Sequence, residues 1–314
     1  MVSLRPLSSD RATALSLARR AILARNAPDA EIGPFLSAVE RDVANGTAAG
    51  VLRFEGRTVT GIALWEPPAE LGATLQVLYG VEGHQTGSEY ERFLREVMRE
   101  AGPVVFAPGF LAGLDDAEEQ RVMEALGYAK FARSEMRLFP DAPEPHGPDS
   151  HAIRTRAPVA GDAAALARLH ELAYRGRFDR FLFLVYADPA RDAELATREI
   201  LSGRWGEFLP WASVVVEGEG RLLAAALVVR APYGPLIADV MVEPVVWGHG
   251  LGRAVVTASI RALRGRERSP IVLNVTEGNA RAVRLYEHLG FVRSLGPSHG
   301  WYSRERIPIG PDAS

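Results

Sequence analysis

Apolar and polar positions follow two periods along the chain, and their order predicts its secondary structure. Short apolar runs such as 222–229 and 237–243 have the length and composition of buried strands. Segments such as 162–174 place apolar residues three or four positions apart, which is the spacing of one helix face. Glycine and proline stand at the junctions, where turns are expected. The pattern therefore predicts a mixed α/β protein.

The first half reads as strand, two helices, hairpin, strand, helix, strand, helix and strand. The predicted elements are Val2–Pro6, a helix capped by Asp10, 32–43, 50–54 with 58–65, 74–79, 89–99, 103–107, 118–126 and 128–139. Proline and acidic residues then crowd into 140–148, a composition that breaks both helix and strand. We therefore predict a domain at 1–140, a linker at 141–150 and a second domain at 151–314.

The second half repeats the order of elements, which indicates an internal duplication near half the chain length. Its predicted elements are 153–156, 162–174, 189–201, 212–217 with 221–230, 237–243, a helix after 252, 270–275, a helix from 279 and a last strand at 301–306. Sequence identity between the halves is slight. The order of elements, and not the residues themselves, carries this inference.

Composition narrows the class of protein. The chain has 314 residues, enough for two domains, and a net charge of only −3, so no strong field attracts nucleic acid or a membrane surface. The absence of cysteine excludes disulfides, thiolate metal sites and a cysteine nucleophile, and no metal site is expected. The first residues of the sequence lack the apolar core of a signal peptide, and no apolar run approaches the ~20 residues of a membrane span. We expect a cytoplasmic monomer or homodimer.

A glycine-rich turn in the second half carries the first sign of chemistry. Gly248, Gly250 and Gly252 stand before a predicted helix, where backbone N–H groups and the helix dipole form an anion site suited to a diphosphate. A dinucleotide-binding fold needs an acidic residue at the end of the next strand. Here that strand ends at Asn274-Val275, so the dinucleotide interpretation is disfavoured.

Three motifs in order extend this observation. They are Val242-x-Pro244 before the turn, Gly250-x-Gly252 within it, and Asn279-x-x-Ala282-x-x-Leu285-Tyr286-x-x-x-Gly290-Phe291 after it. Together they resemble the GNAT acetyltransferase superfamily. The motifs cover the last third of the chain, and the order of elements extends the resemblance to the second half and faintly to the first. The resemblance implies tandem domains, each a twisted mixed sheet flanked by helices.

The resemblance implies acetyl-CoA as the acetyl donor. In such enzymes the loop binds the pyrophosphate through backbone amides, and the strand before it bonds the pantetheine arm. The residues carried over are Val242, Glu243, Trp247, Gly248, His249, Gly250, Leu251, Gly252, Arg253 and Asn279. The family usually has Arg or Gln where this chain has Trp247. As a catalytic group, His249 is less favoured than as a solvent-facing loop residue.

The resemblance also places Tyr286 beside the thiol, as the proton donor to departing coenzyme A. A phenol with an unperturbed pKa near ~10 stays protonated at neutral pH and can donate to a thiolate. Packing as an ordinary helix tyrosine is the alternative. For the general base we choose Asp239, which shares strand parity with Glu243.

The stretch 174–186 is rich in aromatic residues and is expected to border the acceptor cleft. Phe178 and Tyr186 are our candidates for an aromatic acceptor wall, with core packing as the equal alternative. Glu207, in a tryptophan-flanked segment, is a further candidate at the acceptor site.

The first half lacks the residues of the motif. Counting back four residues from Gly290 gives Tyr286, whereas counting back four from Gly127 gives Met123. The corresponding loop also has no Gly-x-Gly and carries Glu82 where a phosphate is expected. We therefore predict that the first half keeps the fold without catalysing.

These residues together predict an N-acetyltransferase. The second domain is expected to move the acetyl group of acetyl-CoA to a small-molecule or protein amine, by direct attack in a ternary complex. The alternative is a coenzyme A-binding sensor or scaffold without catalysis.

Overall fold

The computed structural model describes residues 2–24, 29–46, 48–65, 73–101, 104–106, 111–145, 153–177, 179–180, 188–231, 233–294 and 298–303. The helices are α1 (Arg11–Leu23), α2 (Asp29–Asn45), α3 (Gly87–Ala101), α4 (Asp116–Ala125), α5 (Ala163–Tyr174), α6 (Pro189–Leu201), α7 (Leu251–Arg264) and α8 (Ala280–His288). The strands are β1 (Val2–Pro6), β2 (Ala49–Glu55), β3 (Thr58–Trp65), β4 (Ala73–Gly80), β5 (Val104–Phe106), β6 (Tyr128–Leu138), β7 (Thr155–Arg156), β8 (Glu207–Phe208), β9 (Val214–Gly218), β10 (Arg221–Ala231), β11 (Gly234–Val242), β12 (Ile271–Thr276), β13 (Val292–Arg293) and β14 (Ser298–Ser303).

The predicted mixed α/β class is confirmed. The sequence β1-α1-α2-β2-β3-β4-α3-β5-α4-β6 is matched in the second half by β7-α5-α6-β9-β10-β11-α7-β12-α8-β13, with the short β8 added. The Asp10 side chain accepts a hydrogen bond from the Thr13 N–H, so it caps α1 as its residue type predicts. Among the described helices, none combines the length and apolar character that crossing a membrane requires.

The chain divides into two compact units. Unit 1 contains Met1–Phe131 and His299–Arg306, and unit 2 contains Ala132–Ser298 and Ile307–Ser314. The composition-based break at 141–150 and this division do not coincide. The difference arises because strand pairing, which composition does not reveal, assigns most of β6 to unit 2.

Unit 1 is built on a mixed sheet with the strand order β1-β2-β3-β4-β5-β14. The first three pairings are antiparallel, and β4 pairs with β5 in parallel through Ala73↔Val104 to Leu75↔Phe106. Buried residues form two clusters. One contains residues of α1 with β2 and β3, and the other contains residues of α3 and α4.

Unit 2 has the strand order β6-β12-β11-β10-β9-β7, with β13 beside β6 and β8 beside β10. Alternation along β10 shows how the sheet is covered on both faces. Ala224, Ala226 and Val228 join the core cluster that contains α7 and α8. Ala225 and Leu227 join the cluster that contains α5. Every second residue of a strand points to the same face, so helices pack on both sides of this sheet.

The two central strands of unit 2 separate partway along their length. Parallel pairing of β11 with β12 covers only Leu236↔Val272 and Ile237↔Leu273. The register between β10 and β11 shifts at the same level, where Leu227 pairs with Asp239 and Val228 with Ile237. The extra residue is a β-bulge, which bends a strand locally. The result is a cleft beyond Ile237, on the side of the sheet where β11 ends.

Candidate functional site

The cleft between β11 and β12 opens into a cavity of about 360 Å³. Its walls come from α5, β6, β11, β12, α8 and the loop before α7, all within unit 2. This volume lies in the range of small-molecule sites. The predicted residues that line it are Asp239, Val242, Trp247, Gly248, Gly250, Leu251, Gly252, Arg253, Asn279 and Tyr286.

The glycines of the loop serve two different physical purposes. Gly248 and Gly250 have φ angles of 86° and 77°, in the left-handed region that favours glycine. Gly252 has no such angle, but a Cβ there would approach Val242 Cγ2 to 3.3 Å and Leu285 Cδ2 to 3.6 Å. The loop thus needs glycine for its conformation and for close packing. This glycine loop leads into the 14-residue helix α7, whose first N–H groups face an open cavity.

Trp247 is integrated into the loop by contacts that the sequence did not reveal. Its indole N–H donates to the Val242 carbonyl oxygen at 2.9 Å. The guanidinium carbons of Arg177 and Arg281 lie 4.1 Å and 5.0 Å from the centre of its ring. Both arginines line the cavity. Two positively charged side chains therefore stack on the tryptophan beside the glycine loop.

Asp239 lies at the centre of a buried hydrogen-bonded group. One carboxylate oxygen is 2.9 Å from His170 Nδ1, and the other accepts a hydrogen bond from the Tyr174 hydroxyl at 2.8 Å. The His170 and Tyr174 rings are themselves in contact, with centroids 4.5 Å apart. Asp239 is only 3% exposed, and both it and Tyr174 line the cavity. These contacts fix the position of a carboxylate that faces the cleft.

Tyr286 reaches the same cavity from α8. Burial, the charge of Asp239 and the charge of Asp179 raise the pKa of its phenol above the ordinary value. The ring packs edge-on against Phe291, with centroids 5.9 Å apart. Tyr286 is thus both part of the core and part of the cavity wall, and the two interpretations of the sequence are compatible. Its hydroxyl stays protonated throughout the neutral range.

Asn279 connects the start of α8 to a second carboxylate. Its side-chain oxygen accepts a hydrogen bond from the Ala282 N–H at 3.1 Å, as expected for a helix cap. Its amide nitrogen donates to Asp179 Oδ2 at 3.0 Å. Asp179 is 6% exposed and lines the cavity. Burial raises the pKa of its carboxyl, while Thr276, Asn279, Arg133 and Arg177 act in the opposite direction.

Some predicted site residues are not brought to the cavity. The Glu243 N–H, expected to be open to the cofactor, donates to the Leu223 carbonyl at 2.8 Å, and its carboxylate pairs with Arg221. The ring of His249 is exposed and lies 3.2 Å from the Val246 carbonyl oxygen, outside the cavity lining. Neither residue lines the cavity, so their assignment to the cofactor site stays a prediction, and the exposed ring of His249 agrees with a solvent-facing loop residue.

Of the three residues predicted at the acceptor site, the structure describes only Glu207. Glu207 lies on β8 opposite Arg230, with its carboxylate 3.3 Å from that guanidinium. This places it near the β10–β11 turn, at the opposite end of β11 from Val242. It does not line the cavity. Phe178 and Tyr186 lie outside the described residues, and the aromatic wall stays a prediction.

The residues that line the cavity are suited to binding a coenzyme A thioester. A glycine loop at a helix N-terminus would hold the pyrophosphate, and Arg177, Arg253 and Arg281 surround this end of the cavity with positive charge. The strand edge at 238–242 borders the cavity and offers main-chain groups to an extended amide chain. The donors and acceptors of this surface therefore fit a ligand that is anionic at one end and amide-rich along its length.

Known proteins resemble this chain in sequence. The profile of the Acetyltransferase (GNAT) family matches residues 174–291. A mycothiol acetyltransferase from Thermomonospora curvata is 30% identical over 256 residues, which are 79% of this chain and 80% of the relative. A mycothiol acetyltransferase from Thermobispora bispora is 28% identical over 77% of this chain and 80% of its own length.

A solved structure agrees with the fold. The GCN5-related N-acetyltransferase from Sphaerobacter thermophilus is 18% identical, with a TM-score of 0.56 over 96% of this chain and 95% of its own. The resemblance inferred from the three sequence motifs is confirmed. The chain belongs to the GNAT acetyltransferase family, and it is an acyltransferase.

Proposed function

We propose that this chain moves the acetyl group of acetyl-CoA to the nitrogen of an amine while both substrates occupy unit 2. One observation carries the proposal. Asp239 and Tyr286 face the same cavity onto which the glycine loop opens. A proton acceptor and a proton donor beside an anion-binding loop are the groups that this reaction requires.

Binding of the donor rests on the loop and on β11. The amides of 248–252 and the arginines at the cavity mouth take the phosphates. The Val242 carbonyl already accepts the Trp247 indole N–H. A carbonyl oxygen has two lone pairs, so it can still accept from an amide of the pantetheine arm. Trp247 thus changes how the loop is held without blocking the strand edge.

The proton transfers are divided between two side chains. Acetyl-CoA supplies an activated thioester. Asp239 takes the proton that the amine nitrogen loses as its bond to the acetyl carbon forms. Tyr286 gives its proton to the sulfur as the carbon–sulfur bond breaks. The raised pKa of the Tyr286 phenol keeps that proton in place until a thiolate develops beside it.

Direct attack is favoured over an acyl-enzyme route. The chain has no cysteine, so a thioester cannot form on a protein thiol. The cavity contains a carboxylate that can activate an amine, and the donor site opens onto the same space. Attack within a ternary complex therefore needs no group beyond those present in the cavity.

A small molecule is the favoured acceptor. The relatives that match most of the chain are named mycothiol acetyltransferases. The deacetylated form of mycothiol is therefore the first acceptor to assay. A protein amine remains the second class.

The experiment combines binding and turnover on the full chain. Calorimetric titration with acetyl-CoA is expected to give one molecule per chain, and coenzyme A release should depend on an amine. Asp239→Asn should lower turnover by about 10²- to 10⁴-fold, the range of general base catalysis. Glu219→Gln is the charge-matched control, because that side chain is 83% exposed.

Other outcomes have definite meanings. Binding of acetyl-CoA without release in the presence of any amine would favour the sensor or scaffold alternative. Two molecules per chain would contradict a unit 1 that binds no cofactor. Full turnover in Asp239→Asn would remove this residue as the base.

A further inference from the structure

The carboxylate of Asp239 borders the cavity but has no surface that a substrate can contact directly. Its side chain is 0% exposed. One carboxylate oxygen, Oδ2, lies 2.9 Å from His170 Nδ1, and the other, Oδ1, accepts the hydrogen of the Tyr174 hydroxyl at 2.8 Å. In this arrangement an amine nitrogen in the cavity cannot reach either oxygen without displacing a neighbouring side chain.

Tyr174 is the partner of Asp239 that faces the cavity. It is the last residue of α5, it is half-buried, and it lines the cavity. His170 is buried and is not among the residues that line the cavity. The two rings pack against each other with centroids 4.5 Å apart, which holds the phenol in place. Of these two partners, therefore, only Tyr174 can touch a molecule bound in the cavity.

A phenol in this position can pass on a proton without carrying a charge. A hydroxyl has one hydrogen to donate and two lone pairs that accept. Burial and the charge of Asp239 hold the pKa of the Tyr174 phenol well above its ordinary value. The hydroxyl therefore keeps its hydrogen at neutral pH and directs it at Asp239. Its oxygen can take a second hydrogen only as the first one leaves.

We infer that Tyr174 is a catalytic residue that relays a proton: its oxygen takes the hydrogen of the acceptor nitrogen while its own hydrogen passes to Asp239 Oδ1. This inference rests on the proposed function and names the group that touches the acceptor. Asp239 remains the base, and it acts through Tyr174.

The atoms of this step balance. An N–H bond and the original Tyr174 O–H bond break, while a new Tyr174 O–H bond and an Asp239 O–H bond form. At the same time the nitrogen bonds the acetyl carbon, the carbon–sulfur bond breaks, and Tyr286 gives a separate proton to the sulfur. After release, Asp239 has gained one proton and Tyr286 has lost one. Exchange with water restores both.

The test is a double-mutant cycle on the full chain, built from Tyr174→Phe and Asp239→Asn. Tyr174→Phe removes only the hydroxyl and keeps the ring that packs on His170. The substrates are acetyl-CoA and deacetylated mycothiol, with ethylamine as the minimal amine. Tyr174→Phe should lower kcat by about 10²- to 10⁴-fold, the range of one assisted proton transfer. The acceptor KM and the Kd for acetyl-CoA should stay within about twofold, because the hydroxyl acts in the chemical step.

The variant with both changes separates a relay from an orienting hydrogen bond. Two residues that move the same proton act as a unit, so their effects do not add. The double variant should therefore turn over about as fast as either single variant. If Tyr174 only oriented Asp239, the carboxylate would still act as the base in Tyr174→Phe, and adding Asp239→Asn would lower kcat further. Tyr233→Phe is the matched control, because that residue is 51% exposed and does not line the cavity. Its kcat should not change.

The outcomes distinguish this inference from the proposed function. If turnover is kept in Tyr174→Phe and lost in Asp239→Asn, or if Asp239→Asn lowers it further in the double variant, the inference is overturned and the proposed function stands. A loss of acetyl-CoA affinity in Tyr174→Phe as large as its loss of turnover would make the residue structural and also overturn the relay. Failure of the unaltered chain to acetylate either amine overturns both. Equal losses of kcat in the three variants, with KM and Kd unchanged, support the relay.

Discussion

The two units contain the same order of elements around their central strands, yet the described residues fill the space between those strands differently. In unit 2, β11 and β12 separate after two paired residues, and the cleft stays open. In unit 1, the parallel pairing of β4 with β5 is also short, from Ala73↔Val104 to Leu75↔Phe106. Further along β4, Leu111 bridges Leu78 and the Ala112 N–H donates to the Leu78 carbonyl at 3.0 Å.

The main-chain hydrogen-bonding groups at the end of β4 also find partners within unit 1. The Gly80 N–H donates to the Tyr90 hydroxyl at 3.2 Å, and its carbonyl accepts from the Gln85 side chain at 2.9 Å. Burial raises the pKa of Tyr90 to about 12, so this hydroxyl stays a neutral hydrogen-bonding group. Main-chain groups that could bind a pantetheine arm are thus occupied by protein. The comparison shows that one fold becomes a binding site or a closed core according to what fills the space between two strands.

The largest expected effect concerns the residue at which the two units differ most. Tyr286→Phe should reduce turnover by about 10²- to 10⁴-fold, because the thiolate loses its proton donor. Acetyl-CoA affinity should stay nearly unchanged, since the ring and its packing remain. The raised pKa of Tyr286 also means that, in the unaltered enzyme, donation should persist beyond the pH at which an ordinary tyrosine ionises. Coenzyme A release measured against pH tests both statements.

Tyr90→Phe provides the control in unit 1. It removes the buried hydroxyl that bonds Gly80 and Ala112, so it should lower the free energy of unfolding by about 1–3 kcal/mol. Turnover of the folded enzyme should not change. If Tyr90→Phe lost as much turnover as Tyr286→Phe, the two tyrosines would not have different roles, and the contrast between a closed unit 1 and a proposed active site in unit 2 would fail.

An intermediate effect is expected from two matched glycines. Gly248 and Gly83 have φ angles of 86° and 87°, and at neither residue does any atom lie within 4 Å of the position that a Cβ would take. Substituting alanine should strain each backbone by about 1–2 kcal/mol. Only Gly248→Ala should weaken acetyl-CoA binding, by about tenfold, because the proposed phosphate site lies in that loop. Equal Kd values in the two variants, measured by calorimetry, would remove the loop from the donor site.

The smallest effect concerns charge at the start of the last helix of each unit. Counting back nine residues from Gly290 gives Arg281, and counting back nine from Gly127 gives Glu118. A cation near a helix N-terminus is unfavourable unless an anion is bound there. Arg281→Gln should therefore weaken acetyl-CoA binding about two- to fivefold, as expected for an exposed charge. Arg284→Gln, on the same helix but outside the cavity lining, should have no effect.

The sequence predicts those parts of the site that depend on local spacing. The glycine loop, the cap at Asn279 and the position of Tyr286 all lie within one continuous segment, and the structure brings them to one cavity. Asp239, chosen as the base over Glu243 of the same strand parity, lies there too, whereas Glu243 does not line the cavity. Periodicity likewise predicts the order of helices and strands, because each element is set by residues a few positions apart.

Contacts between distant residues account for what the sequence did not show. His170 and Tyr174 contact Asp239 across 69 and 65 positions, and Asp179 contacts Asn279 across 100. No short motif contains such pairs. The sequence marks Trp247 as a departure from the family, but its stacking with Arg177 and Arg281 depends on packing in three dimensions. Asp179 lies within the aromatic-rich stretch 174–186, and that stretch was the only feature of the sequence that drew attention to it.

Strand β6 has a further consequence for the integrity of the enzyme. Six of its residues, from Arg133 to Leu138, pair with all six residues of β12, and Met136 and Leu138 join the core of unit 2. Arg133 also lines the cavity. A fragment that begins at residue 151 would expose β12 as an unpaired edge and lose part of the cavity wall. Unit 2 therefore cannot be excised intact at the proline-rich segment, because cleavage there would leave one of its strands on the other polypeptide.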